Sequence, residues 1–272
     1  MFDSGVGGLT VHHAIRVALP DSASFYCSDN EFHPYGTKAD QVIANRTLDV
    51  CARFVDRCAI DILVIACNTA STVALGLLRA HLQVPVVGVV PAIKPAAAGS
   101  TSRVIGLLAT PATVKRQYVD ELIHQFAGDC TVVRVGSSRL VELAEEKGRG
   151  KAVNPAEVLR EIEPLFAAGT QLPAGARLDA VVLGCTHFPL LLDELKAVAP
   201  WPVRWIDSGS AVAARVKALA QESSTLSRIR NEQERTASVP AAGTAFVTRL
   251  DPGAKALEPL LARFGFATLA HL

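Results

Sequence analysis

The 272-residue chain carries 27 basic and 26 acidic residues, for a formal net charge of +1, and 50% of its residues are hydrophobic. Proteins that bind nucleic acids or membrane surfaces normally carry a basic excess or patch, so this balance argues against both classes. The hydrophobic half of the chain is enough for a buried core in one or two domains.

The N-terminus and the cysteines predict a reduced, cytoplasmic protein. The opening MFDSGVGG has no basic stretch followed by an apolar run, which argues against a secretory signal. No apolar run approaches the roughly 20 residues that span a bilayer. The six cysteines are therefore expected to be free thiols. Because no C-x-x-C and no Cys/His cluster with zinc spacing occurs, no metal site is predicted.

Short apolar runs alternate with longer amphipathic segments along the chain. The apolar runs predict strands at Ser24–Cys27, Asp61–Ala66, Val84–Val90, Arg103–Ala109, Cys130–Val135, Asp179–Gly184, Pro202–Asp207 and Thr244–Arg249. An amphipathic helix is predicted over Ala39–Cys58. The mixed-charge run Ser227–Arg235 is interpreted as a solvated helix or loop. Strands rich in Val, Ile and Leu that alternate with helices are typical of α/β proteins whose mostly parallel sheets are covered on both faces.

Two proline-bearing segments, Val90–Ser100 and Ala199–Trp205, divide the chain. The part between them has about a hundred residues, a normal domain size. We therefore expect residues 1–92 and 204–272 to form a first lobe and residues 93–203 to form a second. The expected fold class is α/β, with two pseudo-symmetric doubly wound lobes, mostly parallel sheets, and an active site in the cleft between the lobes.

A cysteine motif occurs once in each predicted lobe, as DILVIACNTAS (Asp61–Ser71) and as LDAVVLGCTHFP (Leu178–Pro189). The motif cysteines, Cys67 and Cys185, are 118 positions apart, and so are the aspartates that open the apolar runs. Both cysteines fall at the carboxyl end of a strand, where doubly wound lobes bind their ligands. A helix that opens directly after each cysteine would favour its thiolate. Two buried, inert cysteines are the alternative interpretation.

Two similar weak acids on opposite sides of a small molecule suit the inversion of a carbon stereocentre. One group removes a proton from one face, and the other returns a proton to the opposite face. The ordinary pKa of a thiol is near enough to neutrality for either role once the site adjusts it. If the lobes face each other, Cys67 and Cys185 form such a pair. A redox pair and a binding protein without turnover stay open as alternatives.

Four segments resemble the glutamate racemases of the aspartate/glutamate racemase superfamily: Asp3–Val11 (DSGVGGLTV), Pro34–Lys38, Ala66–Ser71 and Leu183–Leu191. The resemblance covers nearly the whole chain. It implies two-base racemisation of glutamate, without cofactor or metal, that supplies D-glutamate for peptidoglycan. It also implies glutamate as the small-molecule partner and allows a homodimer. Aspartate and hydantoin racemases share the two-cysteine plan and are the nearest alternatives.

The resemblance also implies roles for individual residues. It makes Cys67 and Cys185 the proton donor/acceptor pair, with Cys67 acting on D-glutamate and Cys185 on L-glutamate. Asp3 is implied as the neighbour that assists Cys67, and His187 as the neighbour that assists Cys185. Both of these neighbours are also substrate-binding positions. The other substrate-binding positions are Ser4, Tyr35, Gly36, Asn68, Thr69, Thr113, Glu145 and Thr186.

Several of these residues also have ordinary structural explanations. Asp3 could cap a helix, and Tyr35 could pack in a turn. His187 could be a core histidine satisfied by the backbone. Glu145 could be a solvated residue on an amphipathic helix.

The start of the chain departs from the family pattern. In the family a short apolar strand precedes the DSG motif, whereas only Met1 and Phe2 precede it here. We therefore expect the true start to lie upstream. Some family members are regulated by a cell-wall precursor through a longer leader, so the short leader predicts no such activation.

Overall fold

A computed structural model of the chain describes residues 1–169, 176–227 and 243–272. The chain forms two compact units, the first made of Met1–Val89 with Gly209–Leu272 and the second of Val90–Ser208. Of the mixed-charge run at 227–235, residues 228–235 lie outside the described part of the chain. Among the described residues, no helix is both long enough and apolar enough to cross a membrane.

The chain contains parallel strands and connecting helices throughout its described ranges. The strands are β1 (Phe2–Asp3), β2 (Tyr26–Ser28), β3 (Leu63–Ile65), β4 (Val86–Gly88), β5 (Val104–Ala109), β6 (Thr131–Gly136), β7 (Ala180–Leu183), β8 (Arg204–Ile206), β9 (Thr244–Val247) and β10 (Thr268–His271). The helices are α1 (Leu9–Ala18), α2 (Asp40–Cys58), α3 (Asn68–His81), α4 (Ile93–Gly99), α5 (Pro111–Val114), α6 (Gln117–Phe126), α7 (Arg139–Gly148), α8 (Pro155–Gly169), α9 (Leu192–Val198), α10 (Gly209–Ser227), α11 (Pro252–Lys255) and α12 (Glu258–Arg263). Turns of 3₁₀ helix lie at Tyr35–Thr37 and Phe188–Leu191. All the strands that the sequence predicts are present, whereas β1 and β10 were not predicted.

The first unit is built on a six-stranded sheet with the order β10-β9-β2-β1-β3-β4. Each pair of neighbouring strands in this sheet is parallel. Side chains of the sheet, α2 and α3 form one buried hydrophobic core, which includes Phe2, Phe54, Ile65 and Leu78. Helices α1 and α10 pack against each other. The short strand β1 is therefore central to the sheet, with its Phe2 side chain fully buried.

The second unit is built on a four-stranded parallel sheet with the order β6-β5-β7-β8. Alternate residues of β5 enter two different cores, as the two-residue period of a strand requires. Val104 and Leu108 belong to a core with residues of α7, α8 and α9. Ile105 and Leu107 belong to a core with residues of α4 and α6. This sheet is therefore covered by helices on both faces, which explains its continuous apolar strands.

The two sheets share a strand order. Numbered from the first strand of each unit, β2-β1-β3-β4 and β6-β5-β7-β8 both have the order 2-1-3-4. The strands that carry the cysteine motifs, β3 and β7, are equivalent in this order. The expected α/β class with mostly parallel sheets is confirmed, and the shared strand order supports pseudo-symmetry.

The strand β8 belongs to the second unit, although residues 204–272 were expected in the first lobe. The proline-bearing segment Ala199–Trp205 does not lead out of the unit but into β8, which pairs with residues 180–182 of β7. The chain leaves the second unit only after Ser208, and it enters this unit at Val90. The Ser208 hydroxyl donates a hydrogen bond to the Val90 carbonyl, which joins the two ends of the unit.

Asp179 is the first residue of the apolar run in the second cysteine motif, and it lies at the amino edge of the second sheet. Its carboxylate accepts hydrogen bonds from Ser100 Oγ (2.7 Å), Thr101 N (2.7 Å), Thr101 Oγ1 (3.0 Å) and Ser102 N (3.0 Å). Burial alone would raise the pKa of Asp179, but these hydrogen bonds outweigh burial and hold its pKa below the usual value. The contacts of this aspartate are therefore structural.

We expect Asp179→Asn to lower the free energy of unfolding by about 1–2 kcal/mol at neutral pH, because the amide cannot accept all four hydrogen bonds. A lowered folded-state pKa stabilises the protein above the unfolded-state pKa of about 3.9, and this contribution is lost as pH falls through the folded-state pKa. Urea unfolding of both proteins should therefore show a deficit that shrinks from pH 7 toward acid. A deficit that stays constant with pH would contradict the role of the charged carboxylate.

Candidate active site

Asp3 lies at the carboxyl edge of the first sheet and is fully buried. Its Oδ1 accepts hydrogen bonds from Gly5 N (2.9 Å) and Ser4 Oγ (3.4 Å). The next turn passes so close that a Cβ on Gly8 would lie 2.9 Å from Ala66 Cβ and 3.0 Å from Asp3 Oδ2. Gly8, not Asp3, is the N-cap of α1, so helix capping does not explain the aspartate.

Cys67 lies where β3 meets α3. It is the N-cap residue of α3, has an extended backbone and is 7% exposed. Ser4 Oγ lies 3.7 Å from Cys67 Sγ, so the hydroxyl contacts both the thiol and Asp3. The positive end of the α3 dipole favours a thiolate at this position. We name Asp3, Ser4, Cys67, Asn68 and Thr69 the Cys67 cluster.

Asn68 and Thr69 occupy the first turn of α3, and both are buried. Among the described residues, neither the nitrogen nor the oxygen of the Asn68 side chain has a hydrogen-bond partner. A buried polar group without a partner is costly, so such an amide fits a site in which a ligand supplies the partner. A carboxylate could accept from the amide nitrogen, and this contact would place no full positive charge beside the thiolate.

Tyr35 and Gly36 lie in the 3₁₀ turn that precedes α2. The Tyr35 hydroxyl donates a hydrogen bond to Asp29 Oδ2 (2.8 Å). Burial, together with the nearby Asp29 carboxylate, raises the pKa of Tyr35, so the phenol stays neutral. The phenol proton of Tyr35 is therefore already donated within the chain.

Cys185 follows β7 and is almost fully buried. The residue before it must be small, because a Cβ on Gly184 would lie 3.0 Å from Ala109 Cβ. Cys185 Sγ lies 3.8 Å from His187 Nδ1. His187 Nε2 in turn lies 2.9 Å from Glu145 Oε1, on α7. His187 therefore connects the thiol to a carboxylate, and these side-chain partners distinguish it from a core histidine that bonds only to the backbone.

Glu145 is buried, with 6% of its side chain exposed, which excludes the solvated position that its helix pattern allowed. Its Oε2 contacts Arg149 Nη2 at 2.9 Å. Arg149 was not predicted from the sequence, although the four-residue spacing of an acid and a base on one helix could have indicated it. We name Cys185, Thr186, His187, Glu145 and Arg149 the Cys185 cluster.

The charge state of His187 depends on its two side-chain partners. Burial by itself would lower the pKa of His187, but the hydrogen bonds with Cys185 and Glu145 outweigh burial and raise the pKa well above its ordinary value. These two hydrogen bonds therefore favour the imidazolium form of His187. The His187 ring therefore lies between the Cys185 thiol and the Glu145 carboxylate, within hydrogen-bond reach of both.

The segment after Cys185 differs from the predicted helix. Phe188–Leu191 is a 3₁₀ turn, and α9 begins only at Leu192. Pro189 lies in the first turn of this segment and has no backbone N–H for an α-helical hydrogen bond. Cys67 therefore lies at the N-terminus of an α-helix, whereas Cys185 lies beside His187 and is followed by a 3₁₀ turn.

Thr113 lies at the same edge of the second sheet as Cys185, since β5 is the neighbour of β7. It is buried in the short helix α5, and its hydroxyl lies 2.8 Å from Thr110 Oγ1. The contact that the structure gives Thr113 is thus with its own helix cap and not with the Cys185 cluster.

The profile of the Asp/Glu/Hydantoin racemase family matches residues 10–216, a range that contains both motif cysteines. The chain belongs to this family of amino-acid racemases. Within the family, a glutamate racemase from Salmonella gallinarum is 45% identical over 272 residues, which cover 100% of this chain and 90% of that protein. The resemblance to the glutamate racemases is thus confirmed.

Solved structures agree with this placement. The structure of Escherichia coli glutamate racemase in complex with L-glutamate and the activator UDP-MurNAc-ala matches with a TM-score of 0.88 at 42% identity, covering 100% of this chain and 96% of that one. Glutamate racemase from Thermus thermophilus in complex with beta-chloro-D-alanine matches with a TM-score of 0.67 at 32% identity, covering 100% of this chain and 94% of that one.

Proposed function

We propose that this chain interconverts L- and D-glutamate, with Cys67 and Cys185 as the two groups that transfer protons at the α-carbon. The full-length similarity to glutamate racemases supports the substrate. One observation carries the two-thiol assignment: equivalent strands of the two sheets each lead into a buried cysteine, one at the N-terminus of α3 and the other beside His187. The product D-glutamate would serve peptidoglycan synthesis, as the resemblance implies.

The proposed reaction is symmetric in its two directions. From L-glutamate, the Cys185 thiolate takes the α-proton and the Cys67 thiol returns a proton to the opposite face. From D-glutamate, the Cys67 thiolate takes the proton and the Cys185 thiol returns one. His187 stabilises the Cys185 thiolate as an imidazolium, and the Asn68 amide can donate to a substrate carboxylate. Such neutral donors stabilise charge that develops on the substrate without neutralising the thiolate beside it.

Chiral chromatography of D-glutamate incubated with the purified chain tests this function. With a chelator present and pyridoxal phosphate absent, we expect conversion to equal amounts of both enantiomers, which have equal free energies. Parallel incubations with aspartate and a hydantoin would identify a different substrate. No conversion of any of these by a protein that circular dichroism shows to be folded would contradict the proposal and favour a binding role.

Two further expectations from the sequence stay predictions, namely the homodimer and the cytoplasmic location.

A further inference from the structure

A buried aspartate that the sequence analysis did not single out lies beside Asp3. Asp29 directly follows β2, and its side chain has no exposed surface. Its backbone N–H donates to the Asp3 carbonyl (3.0 Å). A carboxylate buried this deeply is stable only when its charge is paired and its oxygens accept hydrogen bonds. Its partners therefore indicate what the residue does.

Four hydrogen bonds satisfy the Asp29 carboxylate. Arg46 donates twice, from Nε to Oδ2 (2.9 Å) and from Nη2 to Oδ1 (2.7 Å), in the two-pronged geometry of a strong ion pair. The Tyr35 hydroxyl donates to Oδ2 (2.8 Å) and Thr248 Oγ1 to Oδ1 (2.7 Å). These donors come from α2, from the 3₁₀ turn and from the residue after β9. One side chain thus joins three elements at the carboxyl edge of the sheet.

The segment between Asp29 and the turn is fixed to the chain after β9 as well. Arg249 N donates to Asn30 Oδ1 (2.9 Å), and Asn30 Nδ2 donates to the Arg249 carbonyl (2.8 Å). Glu31 N donates to Thr248 Oγ1 (3.2 Å), the same hydroxyl that donates to Asp29. The path from β2 to the turn is therefore held by polar contacts to Thr248 and Arg249 in addition to those of the Asp29 carboxylate.

We propose that Asp29 is a positioning residue for substrate binding: paired with Arg46, it fixes the Tyr35–Gly36 turn so that the turn's backbone meets a substrate carboxylate. The inference rests on the proposed function and adds to it a residue, Asp29, that acts on the affinity for glutamate through the turn. Asp29 transfers no proton in this scheme, because Arg46, Tyr35 and Thr248 engage both of its oxygens.

Asp29→Asn tests the role, because it keeps the shape of the side chain and removes the charge that faces Arg46. We expect KM for glutamate to rise about tenfold or more in both directions while kcat stays within about threefold, since loss of uniform binding raises KM alone. Arg46→Lys keeps a charge but lacks the planar fork, so it should raise KM less. Initial rates with each enantiomer, over a range of concentrations, measure both constants.

Asp179→Asn is the matched control, since it alters a carboxylate that also accepts four hydrogen bonds but lies at the amino edge of its sheet. This control should lose thermal stability and keep KM. If Asp29→Asn does not fold, Thr248→Val removes one donor of Asp29 and should give a smaller rise in KM. The positioning role is overturned if folded variants keep the wild-type KM, or lose kcat at unchanged KM. If the wild-type chain racemises no glutamate, the proposed function fails and this inference fails with it.

Discussion

Replacing either Cys67 or Cys185 with serine is expected to lower kcat/KM for glutamate by about 10²- to 10⁴-fold in both directions, the usual worth of a positioned acid or base. In the proposed reaction each thiol acts in every turnover, as base in one direction and as acid in the other. A serine hydroxyl has far too high a pKa to act as the base near neutral pH. The loss of one thiol therefore cannot be compensated by the other.

Thermodynamics also requires that the loss of kcat/KM be equal in the two directions. Because free L- and D-glutamate have equal free energies, kcat/KM must be the same in both directions for the wild type and for every variant. A one-directional loss of kcat/KM would therefore indicate a faulty assay. Full activity in Cys67→Ser or Cys185→Ser would remove that cysteine from the proposed pair.

Solvent-deuterium exchange can assign each thiol to an enantiomer. If Cys67 acts on D-glutamate, Cys185→Ser should slowly exchange the α-hydrogen of D-glutamate without inversion. Cys67→Ser should do the same with L-glutamate. Mass spectrometry of the separated enantiomers measures this exchange, and the reverse pattern would exchange the two roles.

Cys130→Ser is the control for these variants. Cys130 lies at the amino end of β6, the opposite end from the site residues, and it is partly exposed. Burial raises the pKa of its thiol, so its surroundings do not favour the thiolate. This variant should racemise glutamate like the wild type.

The sequence predicted the strands that carry the cysteines because β3 and β7 are continuous apolar runs bounded by polar residues. It did not predict β1, because two residues carry no periodicity. That strand forms because β2 and β3 pair with it on either side. Tertiary pairing, rather than local propensity, decides such a strand.

The sequence predicted the part of the candidate site in which one motif occurs twice. It did not predict residues whose roles depend on partners far away in the sequence. The cysteines repeat at a fixed spacing, but Asp29 bonds to Thr248, 219 positions away. Asp29 follows the carboxyl end of β2, so the rule that selected the cysteines could have selected it too. Glu145 was predicted from the resemblance as a substrate-binding residue, yet its partner in the structure is His187, 42 positions away.

Glu145→Gln is expected to shift the basic limb of the pH–rate profile to lower pH and to reduce kcat about tenfold near neutrality. In the wild type, Glu145 helps to raise the pKa of His187. The imidazolium is present below that raised pKa and is lost as pH rises through it. Without the Glu145 carboxylate, the imidazolium is lost at lower pH, and the positive charge beside Cys185 disappears with it.

The same sign applies to stability. The stabilisation from His187 is fully present below its unfolded-state pKa of about 6.5 and is lost as pH rises through the raised folded-state pKa. Glu145→Gln should therefore lower the pH at which this stabilisation is lost. Glu142→Gln is the matched control, since Glu142 lies on the same helix, is 60% exposed and pairs with Arg139. This control should leave the basic limb in place. An unchanged basic limb in Glu145→Gln, with KM alone increased, would contradict this role. It would favour the substrate-binding role of Glu145 that the resemblance implies, and would indicate that Cys185 alone raises the pKa of His187.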